Sequence, residues 1–508
     1  MASRYFGVMI LNVAGLELRI ADLKTGKTLE HVQKPFQLGD DVYDQNAISV
    51  NSVNQIVDGL MGFVSLLHDY RIKNFRLWSS QAILNVQNAD FVADQLYVHT
   101  GLSIEWLSLS QETFFRLQEV LERARRNKDK LKGITYIISI TSGNTMIVRL
   151  DDGKFTSIRS FSLGPTKIVE DLESLRQEAP NSTGVLNDYI ASKLNDFNRS
   201  VDRKPSKVIL VGTLPLKSLI PNRNADRQEL VFNEFEELQD SLINASGQFL
   251  AEHFGIESQY IPLVLPEILL IKHLLILTNA QKIDLSDAGM LDGLILSQAV
   301  KHDFLKRDFS KQTIRQAENL AHHYQIEPKH QQLVTDFALH LFDQLKSVHK
   351  MDKRERLLLT VAAILHDCGN YIGGHDHYIH SEYIIRNSDI FGLSKQETGI
   401  VALVSRYHSV ATPGNDLSSF TQMPITQRII VAKLAAILRL ADALDDDRQQ
   451  KISNIIVSLK PKKVVITAKS SERLSFENWV FKTKSQFFTQ TFGLKVTLKQ
   501  RSVQANGK

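Results

Sequence analysis

Apolar positions along the chain change their period three times. RYFGVMILNV and LELRIADL are two apolar runs split by Ala14-Gly15, which predicts two strands joined as a hairpin. Residues 50–70 place apolar side chains at helical spacing. NFRLWSSQAIL predicts a further strand and turn, and QETFFRLQEVLERARRNKDKL a long helix ending in a solvated charge run. At Gly133 the pattern reopens: ITYIISI is a buried type of strand, Thr141-Ser142-Gly143-Asn144 a turn, TMIVRL a strand, and Asp151-Asp152-Gly153 a hairpin turn. KVILVGTLP and a second helical stretch carry this half to about residue 280. A strand-rich opening that recurs in a second half predicts a two-lobed α/β protein.

From about 305 to 450 the spacing is helical throughout, in HQQLVTDFALHLFDQLKSV, RERLLLTVAAILHDC, KQETGIVALVSRYH and QRIIVAKLAAILRLADALDDD. Gly373-Gly374 and Pro413-Gly414-Asn415 mark the joints. The last 58 residues return to strands (SNIIVSLK, KKVVITAK, LKVTLK) around one helix, ENWVFKTKSQFFTQTF. The expected divisions are 1–125 and 126–303 for the two lobes, 304–450 for the helical part and 451–508 for a small α/β appendage. No apolar run reaches ~18 residues, so no membrane span is expected. The N-terminus, interrupted by Glu17 and Arg19, reads as a buried strand and not a signal peptide.

Composition adds less than distribution does. Hydrophobic residues are 43% and charged residues 23%, as in ordinary globular proteins, and 508 residues suit roughly three or four domains. Cys368 is the single cysteine, so no intrachain disulfide forms and a reducing, cytoplasmic home is expected. The net charge of +4 hides an asymmetry: residues 451–508 hold 12 Lys and Arg against 2 Glu, leaving 48 basic and 54 acidic residues in the first 450. That basic tail suits contact with a polyanion, or is a solvated face without a ligand. Histidine is also uneven, with 11 of 16 between His302 and His408.

The histidines carry the main chemical signal. His366-Asp367 follows the apolar run LLLTVAAIL, His330 lies 36 residues earlier near a helix start, and Asp442 lies on a later helix. This H…HD…D order resembles the HD phosphohydrolase superfamily. Imidazoles and carboxylates together suit Mn, Fe, Zn or Mg, and such an ion lowers the pKa of bound water and neutralises phosphate oxygens. His330, His366, Asp367 and Asp442 are therefore expected to converge, or to form a polar core that only hydrogen-bonds within itself. His380 and His408 are the candidates for a second ion. His375 and His377, in a Gly-rich loop, are candidates for phosphate contact. His340 and His349 read as helix-surface or partly packed residues, and Cys368 as a small core residue.

Several segments together resemble the exopolyphosphatase/guanosine pentaphosphatase (Ppx/GppA) family, in its long bacterial form with an HD domain. They include SFSLGP at Ser160–Pro165, KVILVGT at Lys207–Thr213, LPEILLIKHLLIL at Leu265–Leu277 and IDLSDAGMLDGLI at Ile283–Ile295. FALHLFDQL, AAILHDCGNYI, HYIHSEYIIRNSDIFGLS, ILRLADALD and ENWVFKTKSQFFTQTFGLKVTL extend the match nearly to the end. The resemblance implies an α/β plus all-α chain: an actin-like (ribonuclease H-like) two-lobed first half with a phosphate cleft, a helical HD domain and a small α/β tail. It also implies hydrolysis of polyphosphate or guanosine pentaphosphate, and a possible homodimer.

The phosphate motifs depart from the family. Its first loop begins with Asp and runs Gly-Ser-Asn-Ser; here Asn12-Val13-Ala14-Gly15-Leu16-Glu17 has an amide in place of the Mg²⁺-binding carboxylate. Its second loop, Asp-x-Gly-Gly-Gly-Ser-Thr, is Ser139-Ile140-Thr141-Ser142-Gly143-Asn144-Thr145. Ser142, Gly143, Asn144 and Thr145 are the surviving candidates for phosphate, although missing glycines obstruct close backbone approach. The Gly-Gly-Thr after KVILVGT is Leu214-Pro215-Leu216, and proline lacks an N–H. The family's Glu base aligns with Thr113-Phe114. Glu112 is one register off, about 100° around a helix, and is the candidate substitute. A further strand-turn has Ser80, Gln81 and Leu84 in place of Thr-Ser and Arg.

Three functions follow from this reading. The cleft hydrolyses phosphoanhydrides as its family does. Alternatively the metal-dependent HD site, with His366 and Asp367 central, is the better-preserved chemistry. In the third, the chain is an inactive regulatory binder of polyphosphate or a phosphorylated nucleotide.

Overall fold

The computed structural model describes residues 4–502 apart from 37, 173–181, 199–204, 212–228, 244, 257, 287 and 415–416. The chain divides into two compact units, Met1–Asp308 and Phe309–Lys508.

In the first unit β1 (Tyr5–Asn12), β2 (Gly15–Asp22) and β3 (Thr28–Pro35) form an antiparallel meander. β4 (Phe75–Ser79) then pairs parallel to β1, and β5 (Ile104–Trp106) parallel to β4, in the order β3-β2-β1-β4-β5. Six successive residues of β1, Phe6–Leu11, are buried because the strand is covered on both faces. Alternation divides them between two cores. Met9 and Leu11 join the cluster that includes Ile56, Leu60 and Phe63 of the helix Val50–Asp69, while Phe6, Val8 and Ile10 join a second cluster. The hairpin turn is Val13-Ala14, one residue before the expected place, and Gly15 opens β2. Gly15 has φ +133°, and a Cβ there would sit 2.3 Å from the Lys34 carbonyl oxygen.

The second half repeats the arrangement. β6 (Ile134–Ile140), β7 (Thr145–Asp151) and β8 (Lys154–Phe161) are a meander, and β9 (Lys207–Val211) pairs parallel to β6. The short β10 (Glu229–Val231) lies antiparallel to β11 (Lys282–Ser286), which is parallel to β9, in the order β10-β11-β9-β6-β7-β8. The last helix before the expected boundary at 303 packs on the first lobe. The helix Met290–Lys301 does not stay with the second sheet; its Leu291, Leu294 and Ile295 complete the cluster under Phe6, Val8 and Ile10. It also packs on the helix Leu109–Arg126, where a Cβ on Gly293 would lie 1.9 Å from the Phe115 carbonyl oxygen.

The second unit contains the helices Ser310–His323, Pro328–Gln344, Lys353–Leu365, His377–Arg386, Lys395–Arg406 and Ile425–Asp442. After them come β12 (Asn454–Lys460), β13 (Lys463–Ser470), the helix Ser475–Phe492 and β14 (Lys495–Ser502), in the order β12-β13-β14. The segments on either side of the expected division at 450 share one core. Val464, Ile466, Phe481 and Phe488 share one core with Leu358, Val401 and Leu438. A three-stranded sheet with one helix buries too little apolar surface to stand alone, so it completes the helical core. Cys368 is fully buried in that core, and burial pushes its thiol up to about 12.

The helix Ile261–Thr278 is long and apolar enough to cross a membrane by length and composition, and 56% of it is buried within the protein. Val264, Ile268, Leu269, Leu270 and Ile271 are core residues of the first unit. Among them sits Glu267, 4% exposed, whose Oε1 has no hydrogen-bond partner among the described residues. Burial raises its carboxyl to about 8. Because the folded-state value exceeds the ordinary one near 4.5, the folded chain holds a proton that the unfolded chain releases. Stability from this group is complete below pH ~4.5 and is lost as pH rises to about 8. Glu267→Leu is expected to stabilise the first unit at pH 8 by on the order of 1–3 kcal/mol, and by much less at pH 5. Thermal unfolding at the two pH values checks this; a gain that does not widen with pH would refute it.

Candidate metal centre and cleft

The centre in the second unit begins with a helix that ends at the right residue. Lys353–Leu365 starts in a capping box between Asp352 and Glu355, and every residue from Leu357 to Leu365 is buried. His366 is its C-cap, and Asp367 leads into the short 3₁₀ turn Cys368–Tyr371. His366 and Asp367 are therefore delivered into the core, 0% and 3% exposed. The Ser381 hydroxyl locks the turn, donating to the His366 carbonyl at 2.6 Å and accepting from the Gly369 N–H at 2.9 Å. A Cβ on Gly369 would lie 1.9 Å from the His377 carbonyl oxygen, so glycine permits the helix His377–Arg386 to approach.

Four imidazoles and two carboxylates meet there. His366 Nδ1 bonds to the Ala363 carbonyl at 2.7 Å, His408 Nδ1 to the Ser405 carbonyl, and His330 Nδ1 to Asp445 Oδ2 at 2.9 Å. Each anchor fixes the ring and leaves Nε2 facing inward, as a metal ligand requires. His330 Nε2 lies 3.5 Å from Asp442 Oδ1 and 3.8 Å from Asp367 Oδ2, and 3.4 Å from His366 Nε2. His366 Nε2 lies 3.8 Å from both carboxylates. The other oxygen of Asp367, Oδ1, faces His377 Nε2 at 3.5 Å and His408 Nε2 at 3.6 Å. The donor atoms of His330, His366 and Asp442, and again of His366, Asp367 and His408, lie within 4.8 Å of one another. Nitrogen and oxygen donors from buried, oriented side chains fit a divalent transition ion.

Burial and charge set the protonation states. Burial and the neighbouring His366 press His408 down to about 3, and burial lowers His366. Burial opposes ionisation of Asp367, but His366, His408 and Arg448 hold it at about 2. Asp442 stays well below the ordinary carboxylate range against its burial, chiefly through Lys484 and His330. His330 is raised to about 9 in spite of burial by its bonds to Asp442 and Asp445.

The expected residues do not all arrive. His330, His366, Asp367, Asp442 and His408 converge. His377, expected to contact phosphate, takes the position beside His408 (3.2 Å between Nε2 atoms) expected for His380. His380 lies one helical step of about 4.5 Å further along, and no hydrogen bond or ion pair joins it to the set among the described residues. His375 has a side chain 96% exposed, paired with Asp376 at 3.0 Å. The sequence reading missed Asp445, Asp446, Arg448 and Lys484. Asp445 and Asp446 had a signal, since they follow Asp442 at i+3 and i+4. Lys484 had none: it reaches Asp442 across 42 residues of chain.

The first unit holds a cleft of about 600 Å³ whose lining includes Asn12, Ser80, Glu112, Ser142, Gly143 and Asn144. Several of its polar groups are engaged, while Ser80 Oγ and Arg116 Nη1 are buried with no hydrogen-bond partner among the described residues. Asn12 Oδ1 accepts from the Ala14 N–H at 2.8 Å. Glu112 does reach the cleft, but its Oε1 accepts from the Gln81 N–H at 2.9 Å and Oε2 lies 3.8 Å from Arg116. Burial raises the Glu112 carboxyl. Thr145 does not line the cleft: its fully buried hydroxyl donates to the Leu163 carbonyl at 2.6 Å. Leu214-Pro215-Leu216 lies outside the described residues.

Comparison with known proteins bears on the whole chain. The chain resembles the crystal structure of an exopolyphosphatase from Cytophaga hutchinsonii, at 15% identity over 59% of this chain and 99% of that one, with a TM-score of 0.51. A Ppx/GppA family member from Aquifex aeolicus matches at 14% identity over 59% and 98%, with a TM-score of 0.49. Residues 313–498 match domain III of the Ppx/GppA phosphatases. Residues 19–302, more than half the chain, match the Ppx/GppA phosphatase family itself. With its duplicated meander-and-parallel sheets and the polar cleft beside them, the chain belongs to the Ppx/GppA phosphatase family.

Proposed function

We propose that this family member cleaves phosphate esters or anhydrides at the histidine–aspartate centre of its second unit, an HD-type site, on a polyphosphate or a phosphorylated nucleotide. One observation carries the reading: Asp367 presents one oxygen to the His330–His366 pair and the other to the His377–His408 pair. His330, His366, Asp367 and Asp442 would hold one divalent ion, and Asp367, His377 and His408 a second. When bound, Mn, Fe, Zn or Mg would activate water and offset the charge on phosphate oxygens. The protein's part is to hold His330, His366 and His408 through their Nδ1 anchors, keep the carboxylates ionised and bury these residues away from bulk water. Hydrolysis joins the oxygen of water to phosphorus and breaks the P–O bond to the leaving group, which takes up a proton. Exposed Lys460, Lys462, Lys463 and Arg473 on the tail would attract a long polyanion.

The cleft supports a second reading. The amide at Asn12 and the paired Glu112 suit binding without hydrolysis, so the first unit would act as a sensor of a phosphorylated ligand.

Asp367→Ala is expected to lose bound metal and to lower phosphate release by roughly 10²-fold or more, with circular dichroism unchanged. Elemental analysis and a screen of polyphosphate, guanosine penta- and tetraphosphate and common nucleotides, each with Mg²⁺ and Mn²⁺, measure both. Hydrolysis that survives in the His366→Ala/Asp367→Ala double variant would return the chemistry to the cleft. His377→Ala is expected to lower the bound metal from two ions to one, whereas His380→Ala leaves two; the reverse result would reinstate His380.

A further inference from the structure

Two cations reach the centre from outside the histidine set, and they are held differently. Lys484, on the helix Ser475–Phe492, bonds to Asp442 Oδ2 and lies 2.7 Å from Asp446 Oδ1. Its side chain is 12% exposed, between core residues Val480, Phe481, Phe487 and Phe488 of the same helix. Two carboxylates and a packed helix fix it in place. Among the described residues Arg448 has one carboxylate partner, Asp367 Oδ2, and its side chain is 42% exposed.

The backbone under Arg448 is built for that position. Arg448 and Gln450 both have left-handed φ, +59° and +50°, which non-glycine residues adopt at a cost. Asp445 holds the loop: its carbonyl accepts from the Arg448 N–H at 2.9 Å, and its Oδ1 from the Gln450 N–H at 2.7 Å. The same Asp445 anchors His330 Nδ1. One buried carboxylate thus orients a ring of the centre and shapes the loop that carries Arg448.

Asp367 Oδ2, the atom that holds Arg448, is also the oxygen facing His330 and His366. A divalent ion held by His330, His366 and Asp367 would offset the charge that attracts the guanidinium. We infer that Arg448 is an exchangeable anion-binding group: it rests on Asp367, leaves it when the centre takes up its metal, and then grips the terminal phosphate of a phosphoester or phosphoanhydride. A guanidinium fork matches two phosphate oxygens at once, and partial exposure permits the swing; Lys484 lacks both properties. The inference rests on the proposed metal-dependent function and adds the residue that reads the phosphate.

The test uses the full chain loaded with Mn²⁺, inorganic phosphate as probe, calorimetric titration for phosphate affinity and elemental analysis for metal. Arg448→Gln is expected to weaken phosphate binding about tenfold or more, with metal content unchanged or higher because a competitor for Asp367 is gone. Arg448→Lys is expected to restore part of the affinity, through charge without the fork. Unchanged phosphate affinity in Arg448→Gln at equal metal content overturns the inference alone. Loss of metal in that variant also overturns it, by making Arg448 a structural support of the centre. Wild-type protein that takes up no metal overturns the proposed function and the inference together.

Discussion

The second unit depends on keeping Asp367 ionised in a core that would otherwise reject it. A bare carboxylate is costly to bury, and this one is 3% exposed beside Asp442 and Asp445, which are 6% and 1% exposed. The solution is a set of partners on every side. Imidazoles face both oxygens of Asp367, Arg448 closes one, and Lys484 sits on Asp442. Removing a partner leaves the remaining charge uncompensated, which ties the helices that supply these residues to one arrangement. The C-terminal sheet and helix belong to that arrangement twice over: they complete the apolar core and they carry Lys484.

The two units use similar residue types to different ends. In the first, several polar groups in the cleft, or expected there, are engaged in folding the unit. Asn12 closes the β1–β2 turn, Thr145 ties its strand to the Leu163 carbonyl, and Glu112 holds a backbone N–H and an arginine. In the second, the anchoring groups act on Nδ1 and leave each Nε2 turned inward. Those Nε2 atoms meet one another and the carboxylates Asp367 and Asp442, so the contacts they make gather donors at one point. That difference, more than the presence of any motif, separates the two sites.

Much of the fold was legible because it follows from period and burial. A strand covered on both faces reads as a continuous apolar run, as β1 and β6 do. Helices of the second unit announce themselves by their spacing, and His366-Asp367 follows such a helix directly. Boundaries were less legible. The helix Met290–Lys301 has the local pattern of any core helix, and only the surface it meets assigns it to the first sheet. The same holds for the tail, whose apolar positions do not reveal that they complete a helical core.

The amino-acid sequence by itself determined the elements, the repeated two-lobed plan, the ordered set His330, His366, Asp367 and Asp442, and the substitutions in the cleft. These depend on local spacing and on side-chain type at each position. The tertiary structure alone decided that His377 and not His380 joins His408, that Thr145 turns away from the cleft, and that Lys484 and Arg448 enter the centre. Those outcomes depend on which way a side chain leaves its element and what lies opposite. His377 and His380 are three residues apart on one helix, and the close approach allowed by Gly369 brings the first to His408 and Asp367. Such a distance is set by packing, and no spacing along the chain records it.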